Sequence, residues 1–122
     1  MEFDIIQTEN GKSIALVSTV STIGTSQDAL ELLMNCRYSG ADGLVLNENF
    51  LHPDFFELKS GIAGNVLQVF STYDGYLAIV GQFNRHNSKS LSDFIYESNK
   101  QGRVGFVETQ EAAIAFLNQN IR

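Results

Sequence analysis

The sequence is poor in the residues that build many familiar sites. It has one cysteine, Cys36, so no disulfide can form within the chain. Together with the absence of a secretory leader at the start, this makes the cytoplasm the expected compartment. The two histidines, His52 and His86, stand alone, without the local ligand spacing of a zinc site, so no metal is expected. Apolar runs are all too short to cross a bilayer. Cations are few: eight Lys and Arg face fourteen Asp and Glu, a formal net charge of −6. That balance argues against duplex nucleic acid or an anionic membrane surface as the main partner, since both demand clustered cations. A local basic patch stays open, because Arg85, Lys89, Lys100 and Arg103 fall in one third of the chain. There is no low-complexity stretch, linker or repeat, so 1–122 reads as one domain, long enough to bury a core unaided.

Nucleotide and hydrolase signatures are missing too. No Gly-x-Gly-x-x-Gly follows a strand, no Gly-x-x-x-x-Gly-Lys-Ser/Thr loop occurs, and there is no Gly-x-Ser-x-Gly elbow. No cofactor is therefore expected. Cys36 lies on the apolar face of a helical pattern, where a buried, inert thiol is the better reading than a nucleophile.

What is present reads as alternating strands and helices. Asn10-Gly11 between two apolar runs signals a hairpin, and the first run looks like an edge strand. Ile14–Val17, Gly43–Asn47, Tyr76–Gly81 and Arg103–Val107 are short apolar runs of buried strands. Between them come a helix with Ser26 as its N-cap and Leu30, Leu32, Leu33 and Tyr38 in its pattern, a helix over Ser88–Gln101, and a last helix capped by Thr109 with Ala112, Ala113, Phe116 and Leu117 inward. The order predicts an α/β domain with a mainly parallel sheet, an antiparallel edge strand and helices covering it.

The stretch Leu51-His52-Pro53-Asp54-Phe55-Phe56-Glu57-Leu58-Lys59-Ser60-Gly61 predicts a long helix that opens at Pro53. Phe55, Leu58, Ile62, Val66 and Phe70 would form its buried stripe. Gly61 and Gly64 then fall in a helix interior, where each glycine costs roughly 1 kcal/mol against alanine. With Ser60 they make a nearly bare patch, expected to be a close packing contact inside the domain or between subunits, with a ligand groove as the other reading.

Ligands of open parallel sheets sit beyond the carboxyl ends of the strands. That edge carries Asn47, Glu48, Gln82, Arg85, Lys89 and Ser90, with His52 close by. Glu48, His52 and Lys89 supply an acid, a base and a cation and are the candidates for catalysis; Asn47, Glu48, Gln82 and Ser90 are the candidates for binding a small molecule. Any covered sheet also shows a polar rim of solvated loops there. On the helix from Ser88, Lys89, Asp93, Glu97 and Lys100 are three or four apart, so ion pairs explain them as well as a partner-binding face does.

Two resemblances follow. The run from Leu51 to Gly61, with Leu77-Ala78-Ile79-Val80-Gly81 and Lys89-Ser90-Leu91-Ser92-Asp93-Phe94-Ile95-Tyr96-Glu97-Ser98-Asn99-Lys100, resembles a small bacterial family known only as a domain of unknown function, number four thousand one hundred and eighty in its series. The likeness covers nearly the whole chain and implies no activity. The order of elements is also similar to that of the STAS domains, the anti-sigma-factor antagonist fold. That likeness implies a non-enzymatic regulatory module acting through a protein partner, and the bare patch at Ser60, Gly61 and Gly64 leaves a second copy of the chain open as that partner. In that family the loop after the central strand carries a phosphorylatable serine within Asp-Ser-Ser-Gly. The matching place here reads Pro53-Asp54-Phe55-Phe56, without the serine, and Ser60 lies a turn deeper. The expected contact face is then Ser60, Gly61, Gly64 and Lys89. The alternative is a small enzyme or small-molecule sensor at the carboxyl ends of the strands.

Overall fold

The first run of the chain turns back on itself through a three-residue loop. In the computed structural model, which describes residues 1–122, β1 (Glu2–Gln7) and β2 (Ser13–Thr19) pair antiparallel. Thr8 N donates to Lys12 O at 2.8 Å, Gly11 N donates to Thr8 O at 2.9 Å, and Gly11 alone takes a positive φ, 77°. This is a type I turn closed by a left-handed glycine rather than a turn in which Asn10 also turns left-handed.

The chain then alternates: α1 (Ser26–Tyr38), β3 (Gly43–Asn47), α2 (Ile62–Thr72), β4 (Leu77–Val80), α3 (Lys89–Gln101), β5 (Val104–Val107) and α4 (Gln110–Asn120). The sheet order is β1-β2-β3-β4-β5, parallel from β2 onward, as the apolar runs predict. Right-handed crossovers between strands in sequential order must all pass over one face. Accordingly α1, α2 and α3 share that face with Ala15, Leu44, Leu46, Leu77, Ile79, Val104 and Phe106. No strand follows α4, which packs on the opposite face against Ile14, Val45 and Ala78. It can approach closely because Gly105 has no side chain: a Cβ there would lie 2.7 Å from the Phe116 ring.

Several boundaries differ from those expected. Thr25, not Ser26, caps α1: its hydroxyl accepts Asp28 N at 3.0 Å while Asp28 Oδ2 accepts Thr25 N at 3.1 Å and Gly24 N at 2.9 Å. The Gly24 bond is the main reason Asp28 titrates below the ordinary carboxylate range, burial opposing it. Tyr38 is 94% exposed rather than inward, and Ala112 is exposed at the start of α4.

The largest correction concerns the helix from Pro53. Pro53–Phe56 and Leu58–Ser60 are separate 3₁₀ turns, and the α-helix begins only at Ile62. Pro53 does sit at a first helical position, but of a single turn. Gly61 is not helix interior: it is the N-cap of α2 with φ 81°, the left-handed region, which only glycine enters at no steric cost. The break is held locally. His52 Nδ1 accepts Asp54 N at 3.0 Å, and Ser60 Oγ donates to Asp54 O at 2.7 Å while accepting Ile62 N at 3.2 Å. A 3₁₀ turn repeats every three residues, so the spacing of three and four could not exclude it.

Candidate functional site

Around the carboxyl ends of β3, β4 and β5 the loops are anchored by aromatic rings. Phe55 is fully buried, and its ring lies 5.0 Å from Phe56 and 6.2 Å from Phe106. Phe83 stands edge-on to Phe106 at 5.4 Å, Phe94 reaches Phe106 from α3 at 6.2 Å, and His86 stacks on Phe56 at 4.5 Å. Burying a phenylalanine of this kind is worth roughly 1.5–3 kcal/mol. The stretch after Pro53 is thus a plug that seats the Phe55 ring in the core with the half-buried Phe56 packed against it, and its helical spacing records that seating.

Glu48 lies beside this cluster and is only 9% exposed. Its Oε2 accepts Gln82 N at 2.7 Å, and Oε1 lies 2.7 Å from Arg85 Nη2. Arg85 Nη1 donates in turn to Gln82 O at 3.1 Å. The three groups close a ring that ties the end of β3 to the 3₁₀ turn Phe83–His86 after β4. Gly81 makes room for it, since a Cβ there would overlap the Glu48 carboxylate. Burial pushes the Glu48 carboxyl up. The Arg85 guanidinium, the Gln82 N–H and the positive charges of Arg85 and His86 outweigh burial and hold it below its ordinary value. A carboxylate locked in its ionised form by a guanidinium is a poor proton donor or acceptor near neutrality.

The other predicted catalytic residues are occupied elsewhere. The Nδ1 of His52 caps the turn at Asp54, and its Cβ packs against Gly24. Lys89 is paired with Asp93 one turn along α3 at 2.9 Å, both exposed, as the spacing on that helix allows. The side chain of Asn47 accepts Asn49 N at 2.9 Å, and Gln82 contributes its backbone to the ring around Glu48. Ser90 lines an open hollow of about 310 Å³ with Phe56, Glu57, Leu58, Lys59, His86 and Ser88, to which Glu48, His52 and Lys89 contribute nothing. The Nε2 of His86 is shielded there without a hydrogen-bond partner. No group of three or more His, Cys, Asp or Glu side chains gathers in metal-binding geometry.

Nor do the cations form a patch. Arg85 faces Glu48, Lys89 faces Asp93, and Arg103 pairs with Asp74 at 3.1 Å while lying over the Tyr76 ring at 4.8 Å. Cys36 is buried, and burial pushes its thiol up to about 11, so it is an inert core side chain.

The expected contact residues have a different setting. Gly64 is exposed on α2, and a Cβ built there meets nothing within 4 Å, so the close contact expected of it within the domain is absent. One turn on, Leu67 and Ser71 line an open groove of about 250 Å³ whose other wall is Ser98 and Gln101 of α3. Gly64 therefore borders a seam between α2 and α3 that is open in the single chain. Sequence reading missed the Glu48–Arg85 pair, although both residues were on the rim it marked. An acid after one strand and a cation after the neighbouring strand on the same sheet edge were the available signal.

Fold and site together define a single α/β domain with a mainly parallel sheet, at whose strand ends Glu48, His52 and Lys89 each meet a different partner. The chain belongs to the family described as Domain of unknown function (DUF4180), whose model matches residues 8–117. Among solved structures it is similar to a putative anti-sigma factor antagonist from Thermotoga maritima. That match has 12% identity, a TM-score of 0.42, and covers 98% of this chain and 95% of that one, a likeness too loose to carry function across. No curated protein matches the chain. No helix is long and apolar enough to cross a membrane.

Proposed function

We propose that the chain is a non-catalytic regulatory module that binds a protein partner along the α2–α3 seam, with Ser60, Gly61, Gly64 and Lys89 at its border. One observation carries this reading. The acid, the base and the cation at the strand ends are each committed to a separate structural partner, whereas the seam beside Gly64 has no intramolecular occupant. A bare glycine on an exposed helix face lets another backbone approach closely. A small-molecule sensor is the second reading, for which the 310 Å³ hollow lined by Ser88, Ser90 and His86 offers the space.

The test is a photo-crosslinking amino acid placed at Gly64 in the producing cell, with Tyr38 as the control position. A discrete adduct from position 64, absent at 38 and lost on Leu67→Glu, is the expected result. Sedimentation of the purified chain identifies the case in which that partner is a second copy. A saturable hydrolase or transferase activity that depends on Glu48, His52 or Lys89 would reject the binding module in favour of an enzyme.

A further inference from the structure

The two edges of the sheet are treated differently. At β5 the outward-facing backbone is closed by α3. Ser98 Oγ donates to Val104 O, and the Asn99 side chain both accepts Phe106 N at 2.6 Å and donates to Phe106 O at 3.2 Å. The asparagine amide thus imitates a neighbouring strand.

Nothing does this at β1. The bond from Thr8 N to Lys12 O fixes the phase of the ladder, and the register Ile6↔Ile14, Asp4↔Leu16 continues it at steps of two. The N–H and C=O groups of Phe3, Ile5 and Gln7 therefore point away from β2. No other backbone or side-chain group of the chain bonds to them. From Phe3 to Gln7 the register is unbroken, and β1 carries no proline, lysine or bulge to blunt it over that length.

We propose that this edge is a docking site for an extended segment of another protein, in which basic and apolar side chains alternate. Period two along β1 sets the chemistry. Phe3 and Ile5 lie on the helix-covered face, and Ile5 is 39% exposed. An added strand meets it with apolar side chains. Asp4 is exposed on the opposite face, where the added strand presents lysine or arginine. A second copy of this chain fits badly. Its β1 brings its own Glu2 and Asp4 to an acidic edge, in a molecule of net charge −6. The site is separate from the α2–α3 seam, so either can fail without the other.

The test uses the full chain, labelled with ¹⁵N, and an end-capped eight-residue peptide alternating lysine and valine. Saturable shift changes centred on Phe3, Ile5 and Gln7, with slowed exchange of those amides, are the expected result. Ile5→Pro, which removes an outward N–H without touching the β1–β2 ladder, should abolish binding. Asp4→Lys, at an exposed position, should weaken binding several-fold and serves if the proline variant fails to fold. The idea is overturned if a peptide with the same residues in two blocks, or one alternating glutamate and valine, binds equally well. It is also overturned if Asp4→Lys binds as wild type does, or if the unliganded chain is a dimer that Ile5→Pro dissociates.

Discussion

A single buried carboxylate can mean a catalytic acid or a structural tie, and at Glu48 the partners decide. Its two oxygens are spent on Gln82 N and Arg85, and its ionised form is the favoured one. Because the folded protein binds this proton less tightly than the unfolded chain, with its ordinary value near 4.5, the sign of the pH effect follows. The contribution of Glu48 is fully present above about pH 4.5. It is lost as the pH falls through the lower folded value. Glu48→Gln keeps an acceptor for Gln82 N but loses the charge facing Arg85. It should cost about 1–3 kcal/mol at neutral pH, read as a lowered urea midpoint. The cost should shrink as the solution is acidified. A variant equally destabilised at every pH would show that the ionisation of Glu48 does not matter to the tie.

Among the elements, the clearest contrast is between two glycines that look alike in the sequence. Gly61 and Gly64 both fall inside an apolar pattern of helical spacing, yet Gly61 is a left-handed cap and Gly64 an exposed helical position. Alanine at 64 should raise stability by roughly 1 kcal/mol, the difference in helix propensity, and lift Tm by several degrees with the mass in solution unchanged. Alanine at 61 should lower stability by roughly 1–2 kcal/mol, because its Cβ meets the carbonyl in the left-handed region. Thermal unfolding of the two variants checks both signs, and equal signs would contradict the assigned helix start. The strands and α1, α3 and α4 were legible because short apolar runs and capping residues report burial directly. The Pro53–Ser60 segment was not, because a 3₁₀ turn and an α-helix place apolar residues at overlapping spacings, and what separates them here is the left-handed Gly61 and the side-chain bonds of Ser60 and His52. The candidate site was legible as a rim of residue types. Its pairings were invisible, since Glu48 and Arg85 meet only once β3 and β4 lie side by side.

At the scale of the whole molecule the sheet divides two unequal cores. Nineteen buried residues form the core under α1, α2 and α3, against six under α4, so α4 is held by the smaller buried apolar core. That core includes Ala113, Leu117 and Ile121, and the approach depends on the bare backbone at Gly105. Elements with few buried apolar contacts open first in native-state exchange. The amides of α4 should therefore exchange through a partial opening at lower free energy than those of α1 and α2. Leu117 is fully buried, and Leu117→Ala should destabilise the docked helix by about 2–5 kcal/mol. Because the undocked form keeps the larger core, α1 and α2 amides in that variant should stay measurably better protected than those of α4. Hydrogen exchange followed residue by residue reads the difference. If α4 is as well protected as α1 in the wild type, and both fall together in Leu117→Ala, the two cores open as one unit and the division fails.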